Sequence, residues 1–184
     1  LMALHSFKSM IFLYLQDYEN AEKSIEEAKK IRIETKVVSS YLCHHQMGLT
    51  HFEQYRLKAA IADGNRGKIA SCGKQALSAC RAMVKSSKKA ASYRTEALRI
   101  LGSCYAMTGR NRNAIKWWEK SLVEGERLGA RLEVARTCFE IGRNLSHRFN
   151  GRLLVKGKSG EEYLERAERM FTEMKLEWDL SKIE

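Results

Sequence analysis

The sequence predicts an all-α fold of about four helical hairpins, and three observations carry that expectation. The 184 residues contain no proline and only 12 glycines, too few turn formers for a strand-rich chain. Apolar residues recur every three to four positions in one stretch after another, the spacing that gathers them on one helix face. Between 95 and 130 two such stretches flank a short glycine-bearing turn, and parts of that pattern return elsewhere; a period in the thirties is the mark of stacked hairpins. The length suits one domain with a sizeable core, or a short repeat array.

The first hairpin is expected at about 3–31. In "FLYLQDYENAEKSIEEAKKI", Phe12, Ala21, Ile25 and Ala28 keep the repeat spacing, and Asp17 can cap the second of two helices near 3–15 and 18–31. The segment "KSMIFLYL" has the look of a signal-peptide core, with Lys8 as its positive flank. No small-residue cleavage site follows, and the chain continues at once as an amphipathic helix, so this is expected to be a core helix. No apolar run approaches the roughly 20 residues of a membrane span. The opening "LMALHS" lacks a first-position methionine, which suggests a fragment of something larger.

A second hairpin, about 36–85, comprises helices near 36–62 and 65–85 around "ADGNRG"; the register of 36–90 against the repeat is not readable. The third, about 92–127, is the clearest. In "TEALRILGSCYAMTGRNRNAIKWWEKSLVEGERLGA", Gly102 and Ala114 remove bulk where two antiparallel helices cross, while Tyr105 and Trp118 fill the space beside them. Gly109 supplies a stop, Asn111 a new N-cap, and Gly129 ends the unit. The fourth, about 130–174, pairs Leu132, Ala135 and Phe139 with Leu164, Ala167 and Phe171 across an insertion at 146–158, and a tail follows at 175–184.

Residues 95–130 resemble the tetratricopeptide (TPR) repeat. With Thr95 as first position, Leu98, Leu101, Gly102, Tyr105, Ala114 and Trp118 fall where that repeat packs. Ser121 replaces the usual alanine, and the closing proline is absent. The resemblance implies a TPR-like α-α superhelix over 1–184 as a single repeat domain.

Several stretches invite chemistry. "GRLLVKGKSGEE" ends like a phosphate-binding loop in Gly157, Lys158 and Ser159, but Gly151 stands one residue too far away for G-x-x-x-x-G-K-[ST]. The context is helix, loop, helix, and Ser159 with Glu162 reads instead as a capping box. "CHHQMGLTH" crowds Cys43, His44, His45 and His51, but His44 and His51 lie seven apart, about 10 Å along a helix, and no acid fills the gap. These are expected to be helix-surface histidines. Cys43, Cys72, Cys80, Cys104 and Cys138 are odd in number and form no C-x-x-C pair, which reads as reduced core thiols of a cytoplasmic protein. Trp118 belongs to the core and Trp117 to the packing on the adjoining hairpin. No nucleophile and base pair, metal or cofactor is expected, and so no catalysis.

The net charge of +11 is uneven. Residues 36–94 hold 11 Lys/Arg against 2 Asp/Glu, which is nine of the eleven. Arg66, Lys68, Lys74, Arg81, Lys85, Lys88, Lys89 and Arg94 can form a basic patch facing solvent, an acidic protein or nucleic acid; no base-reading motif accompanies the charge, so nucleic acid is the lesser alternative.

A more specific resemblance covers about 69–184 and is strongest at "GERLGARLEVART" and "YLERAERMF". This region resembles the C-terminal helical-repeat region of large bacterial signalling proteins, in which a nucleotide cyclase or protein-kinase module and a STAND-type ATPase precede TPR-like repeats. The resemblance implies a non-catalytic, partner-sensing arm that binds a protein or peptide, other domains of the same parent included. By TPR counting, positions two, five, nine and thirteen of the first helix face the groove. These are Glu96, Arg99, Ser103 and Met107, and, with Leu132 as fourth position of the next unit, Glu133, Thr137 and Ile141. Arg99 is the expected grip on a partner carboxylate.

Overall fold

The computed structural model describes residues 1–35, 39–149 and 154–183. Among these residues the chain is helical throughout: α1 (Met2–Tyr14), α2 (Tyr18–Glu34), α3 (Ser39–Ala62), α4 (Arg66–Ser86), a 3-10 turn at Ser87–Lys89, α5 (Ala91–Met107), α6 (Asn111–Leu128), α7 (Arg131–Phe149), α8 (Gly160–Glu173) and the single-turn α9 (Glu177–Leu180). The described residues include no strand, only an isolated bridge between Val155 and Lys158. The all-α expectation holds, and the tail contains α9. The chain gathers into two compact units, Leu1–Tyr93 and Arg94–Glu184.

Helix ends repeat one device. After α1, α5, α6 and α8 a residue in the left-handed region lets the next backbone N–H bond back across five residues: Asp17 to Phe12, Arg110 to Tyr105, Ala130 to Gly125 and Leu176 to Phe171. Gly109 (φ 74°) and Gly129 (φ 65°) adopt this conformation freely, whereas Gln16 and Lys175 adopt it with a Cβ. Asp17 caps α2 by accepting from the Asn20 N–H at 3.2 Å, as expected. Asn111 does not cap α6: it is the first helical residue, and the cap position belongs to Arg110, which makes no side-chain cap bond.

In the first unit α1 packs on α2 and α3, and α3 on α4. Ala21, Ile25 and Ala28 are fully buried. The segment "KSMIFLYL" does lie in a helix packed on the core, as expected, but its most buried face is not its most apolar one. The buried line of α1 is Met2, Ser6 and Ser9, while Leu4, Ile11, Tyr14 and Leu15 are exposed. The reason is close approach. Ser9 donates to the Ala21 carbonyl at 2.8 Å, and a Cβ at Gly48 would sit 2.8 Å from the Ser6 carbonyl oxygen. Small side chains make those crossings, Phe12 and Leu13 pack beside them against the core of Met2, Ala21, Ile25, Ala28 and Phe52, and the remaining large apolar groups turn outward.

In the second unit Leu98, Leu101, Tyr105, Ala114, Trp118 and Ser121 are all buried, as the repeat pattern requires. A Cβ at Gly102 would lie 2.5 Å from the Trp118 ring, so the glycine is the space into which the indole fits. Gly142 does the same for Leu164 at 2.6 Å, which makes it the counterpart of Gly102 in the α7–α8 hairpin. Ser121 donates to the Thr95 carbonyl at 2.9 Å and meets the Thr137 hydroxyl at 2.9 Å; the usual alanine could do neither.

Candidate partner-binding site

The densest polar arrangement of the second unit joins the first helices of its two hairpins. Arg99 on α5 donates through Nε to Glu133 on α7 at 2.9 Å and lies 3.5 Å from Glu96. Its side chain is only 11 % exposed. Burial works against its charge, and Glu133, Glu96 and Glu140 outweigh burial, holding the guanidinium more firmly protonated than usual. Glu133 also receives Nη1 of Arg136 at 3.3 Å, and Arg136 forks the Asp179 carboxylate of α9 through Nε and Nη2, both at 3.1 Å. Lys182 closes the row, 3.6 Å from Asp179 and above the Trp178 ring. Burial works to raise the Asp179 carboxyl; Arg136 and Lys182 overcome it, and its pKa falls below the ordinary carboxylate value.

The residues read from sequence are placed unequally. Glu96, Arg99 and Glu133 share this row, and Met107 is half-buried at the end of α5. Ser103, Thr137 and Ile141 are buried, with Ser103 donating to the Arg99 carbonyl and Thr137 to the Glu133 carbonyl. The register counted from Leu132 is corrected by Gly142. If Gly142 is the eighth position, as Gly102 is, Cys138 rather than the half-exposed Leu132 is the fourth, and positions two, five and nine are Arg136, Phe139 and Arg143. Arg143 lies over the Phe139 ring at 5.4 Å. Arg99 and Glu133 are each held by a second partner, Glu96 for the guanidinium and Arg136 for the carboxylate, so the row is a network and not a lone pair.

Sequence reasoning missed Arg136, Asp179 and Lys182. The local clue was the i, i+3 pair Glu133 and Arg136; nothing in the sequence linked Arg136 to an acid 43 residues away.

On the first unit, Arg66, Lys68, Lys74, Arg81, Lys85, Lys88 and Lys89 are exposed along α4 and the turn after it, and α4 contains no acidic residue. Lys68 lies 3.8 Å from Asp63. Arg94 belongs to the other unit and pairs with Glu124 at 3.0 Å.

One of the histidines is not the helix-surface group expected, while His44 and His51 are half-buried. His45 is fully buried, its Nδ1 3.1 Å from the Ser6 hydroxyl. His44 lies within aromatic contact of Phe7, Tyr41 and Tyr93. Among the described residues no set of three His, Cys, Asp or Glu is arranged to hold a metal. Trp117 is half-buried with the Lys120 ammonium 4.3 Å over its ring.

The near phosphate loop resolves into helix-start chemistry. Gly151 lies outside the described residues. Gly157 (φ 75°) turns the chain between the bridged Val155 and Lys158. Ser159 Oγ accepts from the Glu162 N–H at 3.2 Å while Glu162 accepts from the Ser159 N–H at 2.7 Å, the expected reciprocal cap.

The class these features define is an all-α, TPR-like array of helical hairpins. The chain is similar in fold to the crystal structure of a Signal Transduction ATPase with Numerous Domains (STAND) protein with a tetratricopeptide repeat sensor from Pyrococcus horikoshii. The TM-score is 0.68 at 14 % identity, over 99 % of this chain and 25 % of that one, so the chain spans about a quarter of that protein's length. No protein-family profile matches the sequence, and no curated protein is similar to it.

Proposed function

We propose that residues 1–184 are a non-catalytic, partner-sensing and regulatory domain of a larger bacterial signalling protein, working in the cytoplasm by binding a protein or peptide. The observation that carries this reading is the charged row across α5, α7 and α9. Long side chains of both signs are held in fixed positions on neighbouring first helices, which suits recognition of another polypeptide rather than a small molecule wanting a closed apolar pocket. The fold likeness to a STAND protein with a repeat sensor supports the same assignment. The partner surface comprises Glu96, Arg99, Met107 and Glu133, with Arg136 and Arg143 beside them. Ser103, counted on the same face, and Thr137 and Ile141, which the Gly142 register moves off it, are buried and fix the helices beneath.

The test is to delete residues 1–184 from the parent protein and measure its output activity at fixed substrate, alone and with candidate partner domains. The expected result is an output that changes severalfold and no longer responds to the partner. An output unaffected in both respects overturns the reading.

A second reading rests on α4, whose exposed side bears Arg66, Lys68, Lys74, Arg81 and Lys85 with no acid on the helix: a nucleic-acid-binding surface in 36–94. Binding of that kind falls linearly in log affinity with log salt. Sub-micromolar affinity at physiological salt, weakened alike for all sequences by charge reversal at Lys88 and Lys89, would favour it over the first.

A further inference from the structure

The last described residues, 176–183, are held in an unusual way. Their apolar side chains, Leu176, Trp178, Leu180 and Ile183, are all at least partly accessible, Trp178 at 50 %. The buried residue is the acid, Asp179, at 5 %. A segment docked by the hydrophobic effect would show the reverse order. With one turn, α9 cannot be stable as an isolated helix; it lies against α8 with Leu176, Leu180 and Ile183 half-buried, and its one fully buried anchor is Asp179. What Asp179 meets is built independently of it. Arg136 is also tied to Glu133, and Glu133 to Arg99, so the guanidinium is aimed and its remaining donors form a fork shaped for one carboxylate.

We propose that the Arg136 fork is a carboxylate-reading subsite for a protein partner, and that the chain's own Asp179 occupies it as a tethered competitor. The partner segment it fits is short, helical and acidic, with an Asp or Glu flanked by apolar residues, as in "LEWDL". The inference deepens the partner-sensing reading and rests on it. Its mechanics are those of linked ligands: a tethered carboxylate acts at an effective concentration in the millimolar range, so a partner must bring further contacts to displace it. Displacement frees α9 while leaving Arg136 paired with an incoming acid, so no unpaired charge is left behind.

The probe is a fluorescein-labelled peptide with the sequence of residues 176–183, titrated by anisotropy into the full chain, its D179N variant and the double variant D179N/R136Q. Releasing the tethered competitor should tighten peptide binding by about tenfold or more in D179N relative to the unmodified chain. R136Q should remove that gain, and a peptide carrying Asn in place of its Asp should show none. Equal binding to all three chains, or equal binding of both peptides to D179N, overturns the proposal. Should D179N fail to fold, hydrogen exchange on the unmodified chain decides: millimolar peptide should accelerate exchange in 177–181, and unchanged exchange there overturns it. Both assays concern this chain alone, so their failure is distinct from failure of the deletion experiment on the parent.

Discussion

In residues 1–93, α3 buries His45, Gln46 and Thr50, and one polar atom of each, His45 Nε2, Gln46 Oε1 and Thr50 Oγ1, has no hydrogen-bond partner among the described residues, while the buried Glu53 has only the Arg56 guanidinium 3.5 Å away. In residues 94–184, the buried Thr137 finds Ser121 and the backbone of Glu133, and Arg99 finds two carboxylates; among the described residues the unpartnered buried side-chain atoms there are Thr95 Oγ1 and Trp118 Nε1. The two units use the same hairpins and differ in how buried polarity is settled. An unmet buried group costs about 1–3 kcal/mol, while a satisfied network fixes geometry at little net cost. The second unit therefore has a rigid charged row to present, and the first retains stability that substitution can recover.

The largest effect that can break this contrast is at Arg99. Arg99→Ala removes the mostly buried cation between Glu96 and Glu133, leaves Glu133 to Arg136 alone, and should cost about 3 kcal/mol. Urea unfolding, with exchange resolved over 94–184, should show it, and a variant melting like the parent would mean the row contributes nothing.

Acid should act on the other unit. Burial first, then Arg32 and Lys29, lowers the His45 pKa from 6.5 to about 4. Because the unfolded chain takes up the proton at higher pH than the folded one, this contribution is complete above about pH 6.5 and is lost as pH falls toward 4, about 3 kcal/mol in all. Melting temperature against pH should drop across that window, and His45→Gln should flatten the drop.

Close crossings should come next. Gly48→Ala and Gly102→Ala each place a Cβ inside contact distance and should cost about 1–3 kcal/mol. Neither neighbour can yield cheaply: Gly48 meets the Ser6 carbonyl at 2.8 Å, and Gly102 meets the fully buried Trp118 ring at 2.5 Å. The smallest change has the opposite sign. Thr50→Val removes a buried hydroxyl without a partner and should stabilise by about 1 kcal/mol in the same urea assay; a loss would mean that the hydroxyl is satisfied in solution.

What was legible in the sequence was local. Gly102, Ala114 and Trp118 announce a hairpin because their spacing is the packing, and Ser159 with Glu162 announces a helix start because both partners lie within one turn. That α1 packs on the core was legible, but its closest face was not, because apolarity alone does not say which side approaches a neighbour; Ser6 and Ser9, small rather than greasy, decide it. The charged row was half legible. Glu96 and Arg99 follow from repeat counting, whereas Glu133 was reached by a count from Leu132 that the register set by Gly142 replaces. The bond from Arg136 to Asp179 spans 43 residues, a separation over which no periodic pattern speaks.

Cys43, Cys72, Cys80, Cys104 and Cys138 are all unbridged and buried, and burial pushes the Cys138 thiol up to about 11. A thiol reagent therefore meets them only when a helix pair opens. Three report on residues 1–93 and two on 94–184, so the native chain carries its own clock for each half, readable by mass spectrometry without a single added label.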